Sequence, residues 1–142
     1  MGTRWFASFK ALDPRTIGND GLWEVGISER RFKALQHAGH EAPLARLQLV
    51  QEVLQGGTDE LWEGWSRPGK EEDCYVYVGS PDRDYRSLTI ELPAPPGMAF
   101  LVFVLKDGTI DEWTWRPLSE DTKKGKHPDG IKGQLLWPLP KT

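Results

Sequence analysis

The apolar residues between positions 28 and 57 recur at the spacing of two amphipathic helices. Ser28 predicts the start of the first helix, because its hydroxyl can accept a hydrogen bond from a backbone N–H of the first turn. Gly39 predicts its end. The second helix is predicted to begin at Pro43 and to stop at Gly56. Its apolar stripe is wide enough to pack against a sheet and consists of Leu44, Leu47, Leu49, Val50, Val53 and Leu54.

The segments that flank these helices carry weaker signals. Residues 5–10 alternate loosely between apolar and polar positions, which favours a short strand. Thr58 has the character of a helix cap, so a short third helix is predicted over residues 59–63.

From Cys74 onward the pattern becomes that of β-strands. Residues 74–78 are β-branched or aromatic, and residues 88–92 alternate in a way that is typical of a half-buried strand. Residues 98–105 are apolar on both faces, as expected of a central strand. A polar loop is predicted over residues 119–134, and the apolar residues 135–137 are expected to dock on the domain.

Asp107 and Gly108 give the strongest local signal, the composition of a two-residue type I′ hairpin turn. The turn predicts a register in which Lys106, Val104, Val102 and Phe100 face Thr109, Asp111, Trp113 and Trp115, while Leu105, Phe103 and Leu101 face Ile110, Glu112 and Thr114. The two tryptophans then share one face of the hairpin. The helices are expected to cover the opposite face, which leaves the tryptophan face partly open or covered by the chain termini.

Together these elements predict an α+β fold, with an N-terminal helical pair packed on a C-terminal antiparallel meander of about four strands. The length of 142 residues is that of one domain, predicted to span residues 1–142. The predicted element order is similar to that of the RelE/ParE-type toxins, although no motif residue carries the likeness and element order is a weak guide to function.

Composition and charge narrow the classes of function. The net charge is −3, and nucleic-acid binding is not expected without a basic footprint. Residues 116–142 hold six bases against three acids, which could form a local anion site, but solvation of a charged loop is the simpler explanation. The N-terminal residues lack a signal-peptide pattern, and no apolar run is long enough to span a membrane, so a cytoplasmic location is expected. Motifs for phosphate, dinucleotide and other cofactor binding are absent, and no cofactor is predicted.

Two candidate reactive groups are judged structural. His37 and His40, with Glu41 beside them, have the spacing of a metal pair, but Gly39 is expected to end the helix between them, and no metal site is predicted. Cys74 has no neighbouring histidine and begins an aromatic strand, so it is expected to be a buried, inert thiol.

The loop of residues 79–87 is the best candidate for chemistry outside the core. It is rich in hydrogen-bonding groups and carries two arginines that could bind an anion. The competing interpretation is that Asp82 and Asp84 simply pair with Arg83 and Arg86 around a turn.

The leading hypothesis is a small soluble binding or interaction protein without a catalytic signature. Seven tryptophans suit a core or a binding surface equally. The hypothesis places an aromatic and arginine surface at Trp113, Trp115, Arg86, Arg116, Asp82 and Asp84, because these residue types dominate interface energetics. The partner would be a protein or a small ligand.

The alternative is a metal-independent enzyme that acts on a phosphate-bearing substrate such as RNA. Glu91, His127, Arg86 and Arg116 would supply a base, an acid and a cationic clamp. Their spacing does not require them to meet.

Overall fold

A computed structural model describes residues 5–16, 21–38, 43–64, 73–117 and 134–138. Two α-helices and seven β-strands follow one another along these residues: β1 (Ala7–Leu12), β2 (Leu22–Ile27), α1 (Glu29–His37), α2 (Pro43–Leu54), β3 (Glu60–Glu63), β4 (Cys74–Gly79), β5 (Met98–Leu105), β6 (Ile110–Pro117) and β7 (Gln134–Trp137). A single 3₁₀ turn, Pro14–Thr16, lies between β1 and β2.

The strands form two antiparallel sheets. β1 and β2 make a two-stranded sheet, and the other five make a sheet of order β6-β5-β4-β3-β7. The predicted arrangement of a helical pair on a four-strand meander is therefore wrong: the protein is mostly sheet, and a hairpin precedes the helices. The predicted similarity of element order to the RelE/ParE-type toxins depended on that arrangement and is wrong as well.

The hairpin of β1 and β2 is joined to the larger sheet through Tyr77. The Tyr77 hydroxyl donates to the Leu12 carbonyl oxygen at 2.6 Å and accepts from the Trp23 ring nitrogen at 2.8 Å. The strand at residues 22–27 was missed because its apolar residues Leu22, Trp23, Val25 and Ile27 do not alternate regularly with polar ones. Pairing with β1 supplies the hydrogen bonds that its sequence alone does not specify.

The predicted boundaries of the two helices are confirmed at three points. Ser28 accepts a hydrogen bond from the Arg31 backbone nitrogen at 3.1 Å, and α2 begins at Pro43 and stops before Gly56. Among the described residues, neither helix is long and apolar enough to cross a membrane.

The third predicted helix does not form. The Thr58 hydroxyl donates to the Val53 carbonyl oxygen at 2.7 Å, so it satisfies the end of α2 rather than the start of a new helix. Residues 60–63 instead form β3, which pairs with β4 on one side and β7 on the other. The docking expected for residues 135–137 is thus confirmed, as strand pairing.

The hairpin at Asp107 and Gly108 is confirmed, but its turn is longer than predicted. Gly108 has a φ of +93°, and the Leu105 nitrogen donates to the Thr109 carbonyl oxygen at 2.8 Å, which closes a three-residue loop. The predicted register holds from Phe103 to the start of β5. Nearer the turn, Val104 pairs with Ile110, and Asp111 is an extra residue in a bulge.

Residues 88–92 do not form the predicted strand. They lie in turns, with the Thr89 nitrogen donating to the Leu92 carbonyl oxygen at 3.3 Å, and Ile90 is 95% exposed. Alternation over five residues produces a strand only where a partner strand is available, and prolines that cannot donate a hydrogen bond follow at once.

The helices cover the tryptophan face of the large sheet, which corrects the prediction. Trp113 is 2% exposed and packs in one core with the apolar stripe of α2 except Leu44, which is exposed. Leu101 and Phe103 belong to a separate cluster without helical residues. The bulge pairs Ile110 with Val104, and both belong to the same core as Trp113. The Asp111 carboxylate lies 3.2 Å from the Arg31 guanidinium of α1.

Candidate functional site

Residues 80–87, here called the anchored loop, connect β4 to the segment that leads into β5. Asp59 fixes its first half. The Asp59 carboxylate accepts hydrogen bonds from the Ser80 backbone nitrogen at 2.8 Å and from two nitrogens of the Arg83 guanidinium. Burial raises the pKa of Asp59, but these hydrogen bonds together lower it by more than burial raises it. The net pKa is therefore below the ordinary value. Arg83 therefore serves the loop's own structure and does not pair with Asp82.

Glu52 of α2 fixes the second half of the anchored loop. Its carboxylate accepts from the Arg86 backbone nitrogen at 2.7 Å, from the Ser87 backbone nitrogen at 3.0 Å and from the Ser87 hydroxyl at 2.7 Å. Burial raises the pKa of Glu52, but the bonds from the loop and the Arg86 charge outweigh it, so the net pKa is lowered. An ionised carboxylate thus holds the loop against the helix.

Tyr85 packs beneath the anchored loop. Its side chain is buried, and its hydroxyl donates to the Ser80 carbonyl oxygen at 2.9 Å. A side chain at Gly79 would collide with this hydroxyl, because a Cβ there would lie only 2.4 Å from it. The glycine therefore allows Tyr85 and α2 to approach the end of β4.

An open cleft of about 840 Å³ lies between the anchored loop and α2 and is here called the loop–helix cleft. Asp84 and Arg86 line it from the loop, and Gln48, Gln51 and Gln55 line it from the helix. Within the described part of the chain, neither the Arg86 guanidinium nor the Asp84 carboxylate forms a hydrogen bond or an ion pair. Two opposite charges and the amides of Gln48 and Gln51 therefore remain available to a ligand, whereas the Gln55 side-chain oxygen already accepts from the Lys10 backbone nitrogen at 2.9 Å.

The structure divides the predicted aromatic and arginine surface into separate regions. Arg86 and Asp84 meet in the loop–helix cleft, and Asp82 is exposed on the same loop but outside the cleft. Trp113, Trp115 and Arg116 lie on β6. Trp113 is core, and the half-buried Trp115 packs edge-on against the Phe100 ring, with the Arg46 guanidinium 5.4 Å from its own ring.

The described residues that were assigned to the alternative enzyme do not form one site. Glu91 is exposed in the turns before β5, Arg116 is on β6, and no hydrogen bond or ion pair between described residues links either to Arg86. His127 lies outside the described residues.

Of the candidate metal ligands, the structure describes only His37. His37 is the exposed last residue of α1, while His40 and Glu41 are outside the described residues. Across the described ranges, no three His, Cys, Asp or Glu side chains are grouped so that they could hold a metal ion. Cys74 is buried in the second core cluster, as predicted for an inert thiol.

Sequence reasoning missed the residues that build the cleft. Glu52 meets the anchored loop across 34 positions of sequence, and Asp59 meets Arg83 across 24. A partial signal was present, since Gln48, Gln51 and Gln55 recur at helical spacing on the polar side of α2.

No known protein family, curated protein or solved structure matches the chain.

Proposed function

We propose that this protein binds a small peptide-like zwitterion in the loop–helix cleft. One observation carries the proposal: the anchored loop is fixed by two carboxylates, yet it leaves Arg86 and Asp84 unbound beside an open cleft. A loop that is already ordered loses little further entropy when a ligand binds. Binding residues are commonly placed on loops that a rigid scaffold positions in this way.

The charges indicate the class of ligand. The Arg86 guanidinium offers two parallel N–H donors, which match a carboxylate. Asp84 can accept from an ammonium group. Gly56, just beyond the C-terminal end of α2, also borders the cleft, and the negative end of the helix dipole favours a cationic group there.

The glutamines suit the part of the ligand between its charged ends. Each side-chain amide offers two donors and an acceptor, which is the complement of a peptide group. Gln48, Gln51 and Gln55 place these amides along one wall of the cleft. A free carboxylate, a free amino group and intervening amides together describe a short peptide.

The test is a titration of the isotopically labelled full chain with triglycine, followed by amide chemical shifts. We expect saturable shifts that are concentrated in the anchored loop and in the second half of α2. Triglycinamide lacks the carboxylate and N-acetyltriglycine lacks the amino group, so each should bind about three- to ten-fold more weakly, the range for the net contribution of one ordinary hydrogen bond.

Matched variants assign each end of the ligand. Arg86→Gln should abolish the preference for triglycine over triglycinamide, and Asp84→Asn should abolish the preference over N-acetyltriglycine. The controls are Arg30→Gln on α1 and Asp82→Asn on the same loop, both exposed and both outside the cleft. The proposal fails if no saturable shift occurs in the cleft, or if the control variants change affinity as much as the cleft variants do.

A further inference from the structure

A second pocket lies on the other side of residues 55 and 56 from the loop–helix cleft. Its volume is about 450 Å³, and four apolar side chains contribute to its wall: Leu12, Leu22, Leu54 and Trp137. We call it the hairpin pocket, because Leu12 and Leu22 are directly paired in the hairpin of β1 and β2. This volume is within the range of small-molecule sites, which are mostly apolar with a few polar groups.

One side chain of the apolar wall, Leu22, is open to water, whereas Leu54 is buried. Leu22 is 63% exposed although it is held on a regular strand opposite Leu12. A bound apolar group would remove this surface from water and gain the corresponding hydrophobic stabilisation.

The polar groups of the hairpin pocket are largely committed within the protein. The Gln55 side-chain oxygen accepts from the Lys10 backbone nitrogen at 2.9 Å, and the Thr58 hydroxyl donates to Val53. No described acidic residue lines the pocket. The Lys10 ammonium is the one described charge on its wall, and it is 64% exposed.

Lys10 is only weakly held by another group. Its ammonium lies 3.8 Å from the Glu24 carboxylate, and both side chains are about half exposed or more. Exposed pairs of this kind contribute little stability, so an incoming anion can compete for the ammonium. Lysine also places its methylenes along apolar surface while its charge stays in water.

We infer that the hairpin pocket binds an aliphatic monocarboxylate, with its chain against Leu12, Leu22, Leu54 and Trp137 and its carboxylate at Lys10. The inference uses none of the residues assigned to the zwitterion's charged ends. It therefore stands or fails separately from the function proposed for the loop–helix cleft.

The experiment is an amide chemical-shift titration of the full chain with octanoate below its micellar concentration. We expect one saturable event, with the largest shifts at the residues that line the hairpin pocket. Butyrate, four methylenes shorter, should bind more than ten-fold more weakly, because each methylene that is buried strengthens binding. Octan-1-ol should bind about two- to five-fold more weakly than octanoate, as expected for the loss of one exposed charge pair.

Two pairs of variants separate a real pocket from general hydrophobic adsorption. Leu22→Asp should weaken octanoate at least ten-fold, whereas Leu44→Asp, at a leucine of α2 that is 67% exposed, should not. Lys10→Gln should reduce octanoate affinity to that of octan-1-ol. Lys33→Gln should leave it unchanged, although Lys33 is 63% exposed and also paired with a glutamate.

A gain of affinity provides the strongest readout, since misfolding cannot produce it. Glu24→Gln removes the group that competes for Lys10, so octanoate should bind about two- to five-fold more tightly while octan-1-ol is unaffected. The inference is overturned if octanoate does not saturate, if Leu22→Asp and Leu44→Asp have equal effects, or if Glu24→Gln leaves octanoate affinity unchanged.

Discussion

The tryptophan region of β6 and the anchored loop differ in what their side chains contact. Trp113 is enclosed by the core that the helices and the sheet share, and Trp115 packs against Phe100. In the anchored loop the contacts are polar, and they leave Arg86 and Asp84 exposed without hydrogen bonds or ion pairs to described residues. The same classes of residue therefore stabilise the fold in one region and remain available for binding in the other.

This comparison explains why residue type alone did not locate the site. Tryptophan and arginine dominate interfaces, but a tryptophan is as useful inside a core. The two regions differ in which segments of the chain supply the hydrogen-bond partners of their polar atoms. In the anchored loop, the Arg83 side chain is bound by Asp59, the residue before β3, and the Arg86 backbone nitrogen is bound by Glu52 of α2.

The largest effect is expected from truncation in the tryptophan region. Trp113→Ala should lower the free energy of unfolding by about 3–5 kcal/mol, because it leaves a cavity in a core that cannot fully collapse. Trp115→Ala should cost less, since that ring is half-buried. Urea denaturation of both variants measures the difference. A Trp113→Ala variant that kept wild-type stability but lost ligand binding would reverse the roles assigned to the two regions.

An intermediate effect is expected where the anchored loop meets α2. Glu52→Ala removes an acceptor of three hydrogen bonds and should lower the free energy of unfolding by about 1–3 kcal/mol. Gln51→Ala, an exposed neighbour on the same helix, should change it by less than about 0.5 kcal/mol. Equal losses in the two variants would mean that the carboxylate does not hold the loop.

The pH dependence of the same contact has a definite sign. The pKa of Glu52 is lower in the folded chain than in the unfolded chain, so its contribution to stability is complete above the unfolded pKa of about 4.3 and declines as the pH falls through the folded pKa. Glu52→Gln cannot titrate. Its urea midpoint should therefore fall less than that of the wild type between neutral pH and pH 3, and an identical fall in both proteins would contradict the assignment.

The sequence was most informative where a signal was local. Ser28 and Pro43 were predicted correctly, and the hairpin at Gly108 was placed correctly although its loop is longer than predicted, because each acts on backbone groups within a few residues. Residues 60–63 and 88–92 were predicted wrongly because their structure depends on whether a partner strand is present. The face that the helices cover could not be read from residues 98–105, since both faces of that strand are apolar.

The candidate site divides in the same way. Arg86 and Asp84 were named as candidates because they lie in a polar loop between strands, which is a local pattern. Glu52 and Asp59 were not found because their role arises only when distant segments meet. Nothing in the sequence around Arg83 and Arg86 shows that the Arg83 side chain would be bound by Asp59 while the Arg86 side chain has no partner among the described residues.

The smallest effects on stability are expected for two separate variants, Arg86→Gln and Asp84→Asn, and they give the sharpest test of the comparison. Both side chains are exposed and form no hydrogen bond or ion pair with described residues, so the free energy of unfolding should change by less than about 0.5 kcal/mol in each variant. Arg83→Gln is the matched contrast on the same loop, because its guanidinium is bound to Asp59, and it should cost more than either. Urea denaturation at neutral pH ranks the three variants. If Arg86→Gln proves as costly as Arg83→Gln, then Arg86 contributes to folding, and the zwitterion would have to displace a stabilising contact rather than meet an available charge.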